Sequence, residues 1–299
     1  MQSRKQHQFA RTRKDGNFNQ QVQLWRFVFG GLALLCAVYA ESIDSAVERS
    51  WSWIKEKQWF QHDTFEPLVA TLSFAVWIHA FRILDLMPLG QYIIDPKYRA
   101  LDARVGFGVK VKSGLVYLGT LFTFDFLYPR RKLPDTCPGG AGKVLLHIVL
   151  ALFVYDFLFF HIHVAMHKVE GLRSFHKKHH SVRGLHSTEV LRHSFVDGSL
   201  QVMCNIAALN LLKLHPYSRT LYNIVVTYML TEIHCGYDLP WMLHNVIPFG
   251  LLGGSVRHEE HHITGRRYFQ QFFTYLDATY FDAENTCSSR LVHTRTARD

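Results

Sequence analysis

Three short histidine clusters limit the folds open to this chain more than any other part of its sequence. Fourteen of its 19 histidines fall between His161 and His262. In the first cluster His163 and His167 stand four residues apart, so a helix stacks their imidazoles on one face, with Asp156 seven residues earlier on the same stripe and His161 directed elsewhere. The second cluster, His176-Lys177-Lys178-His179-His180, and the third, His258-Glu259-Glu260-His261-His262, share the pattern H-x-x-H-H. One helical turn is expected to bring all three rings of each to one side. At this histidine frequency about 0.1 chance matches to that pattern are expected, against the two present. A shared metal site follows, built on helices.

Neutral imidazole ligates iron, zinc, copper or nickel, so ligand type alone leaves the metal open. Number says more. Eight clustered histidines exceed what one closed tetrahedral zinc site uses, and two metals are the economical inference. Three isolated histidines are candidate additions: His193, four residues after Glu189; His234, in Thr231-Glu232-Ile233-His234-Cys235-Gly236-Tyr237-Asp238; and His244. The five cysteines contain no C-x-x-C spacing and are odd in number, which excludes thiolate metal sites and a disulfide framework.

A net charge of +9 fits either nucleic acid or an anionic membrane face. The apolar runs decide for the membrane. Leu24–Ala40 and Leu68–Leu89 approach the length needed to cross a bilayer, Leu115–Tyr128 is shorter, and Val144–Phe160 runs straight into the first histidine cluster. Leu200–Leu214 and Tyr222–Ile233, separated by His215-Pro216-Tyr217-Ser218, read as a helical hairpin turned at proline. Four of the six runs are counted as firm membrane segments and two as doubtful, giving four to six spans. Basic residues gather in the first 22 positions, in the 97–112 loop and in 168–192, as cytoplasmic segments require. The histidine region then faces the cytosol if the 115–128 segment crosses, although Arg130, Arg131 and Lys132 argue against its crossing.

The order H-x-x-x-H, H-x-x-H-H, H-x-x-H-H beside membrane segments resembles the fatty acid hydroxylase and sterol desaturase superfamily, over about residues 144–282. Within that stretch His167-Lys168-Val169, Phe175 to His180, Leu214-His215-Pro216, His234 to Trp241, Pro248-Phe249-Gly250 and Gly253-Gly254 are similar to cholesterol 25-hydroxylases and C4-methylsterol oxidases. The resemblance implies an endoplasmic-reticulum enzyme with two histidine-bound irons. By motif position it implies His163, His167, His176, His179, His180, His234, His258, His261 and His262 as ligands, with His193 near a spot where many members place another. Three features depart from the common pattern: Tyr275-Leu276-Asp277-Ala278-Thr279-Tyr280-Phe281 in place of the usual aromatic-Trp-Asp-Arg ending, Glu259 in place of Asp, and no Arg after the first histidine of the first cluster.

The expected fold is all-α: a multi-pass helical membrane protein with a cytosol-facing, histidine-rich helical cap holding a di-metal site. Its expected divisions are a basic disordered tail (1–22), an N-terminal transmembrane region (23–135), a catalytic domain of the fatty acid hydroxylase type (136–285) and a C-terminal tail (286–299). The chemistry implied is O2-dependent hydroxylation or oxidation of a lipid, a sterol first, or hydroxylation or desaturation of a fatty acyl or sphingoid chain. Electrons are implied to come from NAD(P)H through cytochrome b5 or a reductase, and Lys177, Lys178 and Arg183 would suit an acidic partner as well as they suit the positive-inside rule. No nucleic-acid partner is expected. Phe157, Phe159, Phe160, Tyr222 and Tyr228 fit either a substrate channel or ordinary packing. Two other classes remain. His258-Glu259-Glu260-His261 satisfies the zinc-protease motif H-E-x-x-H with Glu259 as base, but leaves the first two clusters idle. A metal transporter should hold its histidines near the bilayer midplane, whereas these lie at the membrane ends.

Overall fold

The computed structural model describes residues 16–99, 115, 118–123, 126–127 and 133–280. Helix α1 (Gly16–Val38) is followed by α2 (Ala40–Ile54) and α3 (Phe65–Ile83), which tightens into a 3-10 turn at Leu84–Leu86. Then come α4 (Gly140–Lys168), α5 (Glu170–His176), α6 (Phe195–Leu211), α7 (Pro216–Ile233) and α8 (Gly254–Thr264). Among the described residues the only β-pairings are the isolated bridges Ile93–Tyr237 and Leu252–Phe273.

Three helical stretches are long and apolar enough to cross a membrane: Gly16–Val38, Phe65–Leu86 and Gly140–Lys168. Helix α1 turns Leu24, Phe27, Leu34 and Val38 outward, the pattern of a helix solvated by lipid. Arg26, which interrupts its apolar run, is satisfied inside the protein by donating to the Asn245 carbonyl at 3.1 and 2.9 Å. The polar residues expected to end a disordered tail are instead the first turns of this helix. Tyr92 holds them, through its hydroxyl to Gln21 Oε1 at 2.8 Å and its ring against Phe18.

The hairpin expected from Pro216 is present, with Pro216 at the start of α7 and His215 accepting from the Tyr217 amide. Its two helices do not meet the length and hydropathy of a membrane span; the described residues hold three helices that do, against four segments and two doubtful ones expected over the whole chain. The reason is polar burial: α6 carries Asp197 and Gln201 inward, and α7 carries Asn223, Thr227, Thr231 and Glu232. These two helices are the interior of the bundle, not its lipid face. Helix α7 packs against α3, α4 and α8, and α6 packs against α4 and α5. The apolar core joins Ile148, Leu152 and Tyr155 of α4 to Ala208 of α6 and to Tyr222 and Val226 of α7. The 115–128 run and the basic residues after it lie mostly outside the described residues; within it, residues 118–123 are helical and Leu121 packs on Val202 and Ile206.

With α4 and α7 ending where α6 begins, one end of the bundle collects the C-termini of two helices and the N-terminus of a third. Helix α8 and the 177–193 loop close that end. All three histidine clusters are there.

Candidate metal centre

The histidines assemble as two adjacent groups. His163, His167, His176, His180 and His261 form the first and His179, His234, His258 and His262 the second, the ligand atoms of each lying within 4.8 Å of one another. In the first, Nε2 of His163 is 3.1 Å from that of His176 and 3.0 Å from that of His261, and His180 Nε2 is 3.1 Å from those of His167 and His261. In the second, Nε2 of His258 lies 2.9 Å from that of His234 and 3.1 Å from that of His262, with His179 3.5 Å from His234.

The two H-x-x-H-H clusters do not each present three rings to one side, as helical spacing led us to expect. Each splits. His176 and His180 enter the five-histidine group and send His179 to the other, whereas His258 and His262 enter the four-histidine group and send His261 across. In both, the i, i+4 pair stays together and the ring between them swings to the neighbouring centre. For the second cluster the backbone explains this: α5 ends at His176 and the chain continues through a turn into a 3-10 segment at His179–Ser181. In the third, on continuous helix, about 100° separates His261 from His262 and about 60° separates it from His258, so its ring leaves the stripe that those two share.

What holds the rings also sets their tautomers. His163 Nδ1 donates to the Phe269 carbonyl at 2.6 Å, His234 Nδ1 to the Leu230 carbonyl at 2.7 Å, His261 Nδ1 to the Arg267 carbonyl at 2.6 Å, and His176 Nδ1 to Asp197 Oδ2 at 3.0 Å. A neutral imidazole with its proton on Nδ1 bears a lone pair on Nε2. These lone pairs therefore point at one another across about 3 Å, an arrangement that repels unless a cation lies between. Burial and the neighbouring rings push His179, His258, His261 and His262 well below the ordinary imidazole value and His180 down to about 2. These five rings thus favour the neutral form, the one competent to ligate. The donor set, all nitrogen and in two groups of five and four, fits two transition-metal ions.

Of the isolated candidates, His234 caps α7 and lies in the four-histidine group. His193 lies in neither group: its ring stacks on His179 with centroids 4.4 Å apart, and its Nδ1 donates to Asp197 Oδ2. His244 is turned away to Asp238 at 3.0 Å, and His161 is exposed. Among the aromatic candidates, Phe159 is sandwiched between Tyr155 and His163, Phe160 packs on Tyr280 and Phe157 is exposed.

Three carboxylates brace the centre from outside. Asp156 does not reach the rings; it accepts from Gln270 Nε2 and from the amides of Gln271, Phe272 and Phe273 at 2.8–3.1 Å. That fixes the segment whose Phe269 carbonyl orients His163. Asp277, whose pKa burial raises to about 6, accepts from the Phe269 and Gln270 amides. Glu259 accepts from the Gly184 and Leu185 amides at 2.8 and 3.0 Å, tying α8 to the loop after the second cluster. Gly236 permits the same loop to close: at φ +71°, its missing Cβ would lie 2.0 Å from the Leu185 carbonyl oxygen. Arg99 then bonds the Leu185 and Cys235 carbonyls and Asp85, linking the end of α3 to both loops. The braces had no separate signature in the sequence beyond Asp156 sharing a helix stripe with His163.

Fold and site together define an α-helical protein with three helices long and apolar enough to cross a membrane and two adjacent groups of histidines that could each hold a metal ion. Residues 148–281 match the sequence profile of the fatty acid hydroxylase family. A zebrafish cholesterol 25-hydroxylase-like protein 1, member 2 is 31% identical over 254 residues, covering 78% of this chain and 88% of that protein. Human cholesterol 25-hydroxylase is 27% identical over 246 residues (76% and 86%). A further zebrafish cholesterol 25-hydroxylase-like protein reaches 36% over 143 residues, 46% of this chain and 55% of its own length. No solved structure matches significantly. The chain belongs to the fatty acid hydroxylase family, and as a hydroxylase-family protein it is an oxidoreductase.

Proposed function

We propose that this protein is a membrane-bound, di-iron, O2-dependent sterol hydroxylase or oxidase of sterol metabolism. The observation that carries the proposal is the convergence of nine imidazoles, protons fixed outward, on two adjacent points. The proposed ligands are His163, His167, His176, His180 and His261 at one iron and His179, His234, His258 and His262 at the other, with His193 as an outer member. The sterol is taken from the names of the relatives, cholesterol 25-hydroxylase and its like. The family profile, named for fatty acids, supports a second reading, a fatty acyl or sphingoid hydroxylase or desaturase.

When bound, two ferrous ions supply the two-electron activation of O2 that puts one oxygen atom into an unactivated C–H bond. The protein's own residues hold the ions with neutral ligands, keep those ligands in one tautomer and exclude water from the centre, whose rings are nearly all buried. The ring-bearing ends of α4 and α7 lie together at one end of the bundle, an arrangement that suits a substrate drawn from the membrane. Electrons come from NAD(P)H through cytochrome b5 or a reductase, docked at the exposed Lys177 and Arg183. The proposed setting is the endoplasmic-reticulum membrane with the centre facing the cytosol, residues 136–285 forming the catalytic domain. A protease reading loses its base, because both carboxylate oxygens of Glu259 are engaged by backbone amides.

The test is product analysis. Cells expressing the chain accumulate a hydroxylated or demethylation-intermediate sterol, and cells expressing His179→Ala/His180→Ala do not. Identical lipid profiles would sink the proposal, and a hydroxylated acyl or sphingoid product would transfer it to the second reading.

A further inference from the structure

Among the described residues, four rings of the two groups donate outward through Nδ1. Three of them meet neutral backbone carbonyls; His176 alone meets a carboxylate, Asp197. Asp197 lies in the first turn of α6, its amide bonded to the Ser194 hydroxyl at 3.2 Å, where the helix N-terminus favours an anion. A single oxygen, Oδ2, accepts from His176 Nδ1 and from His193 Nδ1, both at 3.0 Å. His193 in turn stacks on His179 with an interplanar angle of 13°. One carboxylate oxygen thus touches a ring of the five-histidine group directly and backs onto the four-histidine group through an intermediary.

The carboxyl is fully buried, and its other oxygen, Oδ1, has no hydrogen-bond partner. A half-satisfied buried charge opposes folding unless positive charge nearby compensates it. One oxygen that accepts two imidazole N–H groups, in the first turn of a helix, is placed as a carboxylate anion is.

We propose that Asp197 is a positioning residue that fixes the His176 ring and, by its charge, lowers the reduction potential of the metal in the five-histidine group below that of its neighbour. An anion bonded to the outer nitrogen of an imidazole increases electron donation from the inner one, which favours the more oxidised ion. The two irons are thereby made unequal by one side chain. The inference rests on the di-iron reading above and deepens it.

The experiment uses the full chain, purified in detergent and loaded with ferrous iron. Wild type, Asp197→Asn and His193→Phe are compared for iron content, for reduction potential and for Mössbauer signature. Wild type is expected to bind two irons with distinct signals. Asp197→Asn, which keeps an acceptor oxygen but not the charge, shifts one potential upward, draws the two signals together and weakens chelator resistance of one iron by about 10- to 100-fold. His193→Phe frees the carboxylate for His176 alone and shifts the same potential downward. Two irons in Asp197→Asn at unchanged potentials overturn the proposal and leave the di-iron reading standing. Wild type that binds no iron removes both. Should Asp197→Asn fail to load, the His193→Phe potential decides, and no shift there overturns the proposal.

Discussion

The two histidine groups are built from the same residue type and even from the same two sequence motifs, yet they are held differently. In the five-histidine group three rings are anchored through Nδ1, His163 and His261 to carbonyls and His176 to Asp197. In the four-histidine group only His234 is, to the Leu230 carbonyl, while Nδ1 of His179, His258 and His262 has no hydrogen-bond partner. The first group is pre-organised by its surroundings; the second depends more on what it binds.

The largest expected effect comes from removing one ring of either group. His261→Ala and His258→Ala should each lower iron from two to about one per chain and bring product to background, because each ring serves one centre. Loss of both irons from either single variant would show that the groups are one cooperative site. Next comes Asp156→Ala, which leaves three buried amides and the Gln270 side chain without their acceptor. At about 1–3 kcal/mol for each unmet group, the cost is several kcal/mol, read as a large fall in thermal midpoint together with loss of iron from the five-histidine group. An unchanged midpoint would mean that the 270–273 segment is held by something else.

A chelator titration probes the comparison itself. Iron should leave in two phases, with the four-histidine group emptying first by a factor of about 10 to 100, the usual weight of outer hydrogen bonds on a metal ligand. Ligand-resolved spectroscopy assigns the phases, and a single phase would erase the distinction. The smallest effect is expected of Glu259→Gln. Glutamine retains one acceptor oxygen for the Gly184 and Leu185 amides, so stability falls by about 1–2 kcal/mol and product formation persists. Complete loss of activity with both irons in place would return Glu259 to the role of a base.

Much of the centre was legible along the chain because histidine spacing on a helix is a local matter. His163 and His167 share a face through the 3.6-residue repeat alone, and the same holds for the pairs His176 with His180 and His258 with His262. His234 was legible only through the motif it sits in, since a lone histidine on an apolar helix has no periodic partner. Whether α6 and α7 cross a membrane stayed open along the chain, because hydropathy cannot tell a helix that faces lipid from one that carries Asp197, Asn223 and Glu232 inside the bundle. Residues 16–22 were misplaced for a related reason: amide side chains are read as tail unless something such as Tyr92 binds them.

By itself, then, the sequence determined that the protein is helical, that it carries helices fit to cross a membrane, and that its histidines cluster at metal-ligand spacing. Backbone geometry dictates these, and it operates over a few residues. Only the tertiary structure decided which ring joins which group. His179 and His261 each leave their own cluster for the neighbouring centre, because α5, α8 and the 3-10 segment pack so that the two centres lie between them. That partition, and the contact of a single carboxylate with His176, depends on contacts between residues about twenty to a hundred positions apart, which no local spacing encodes.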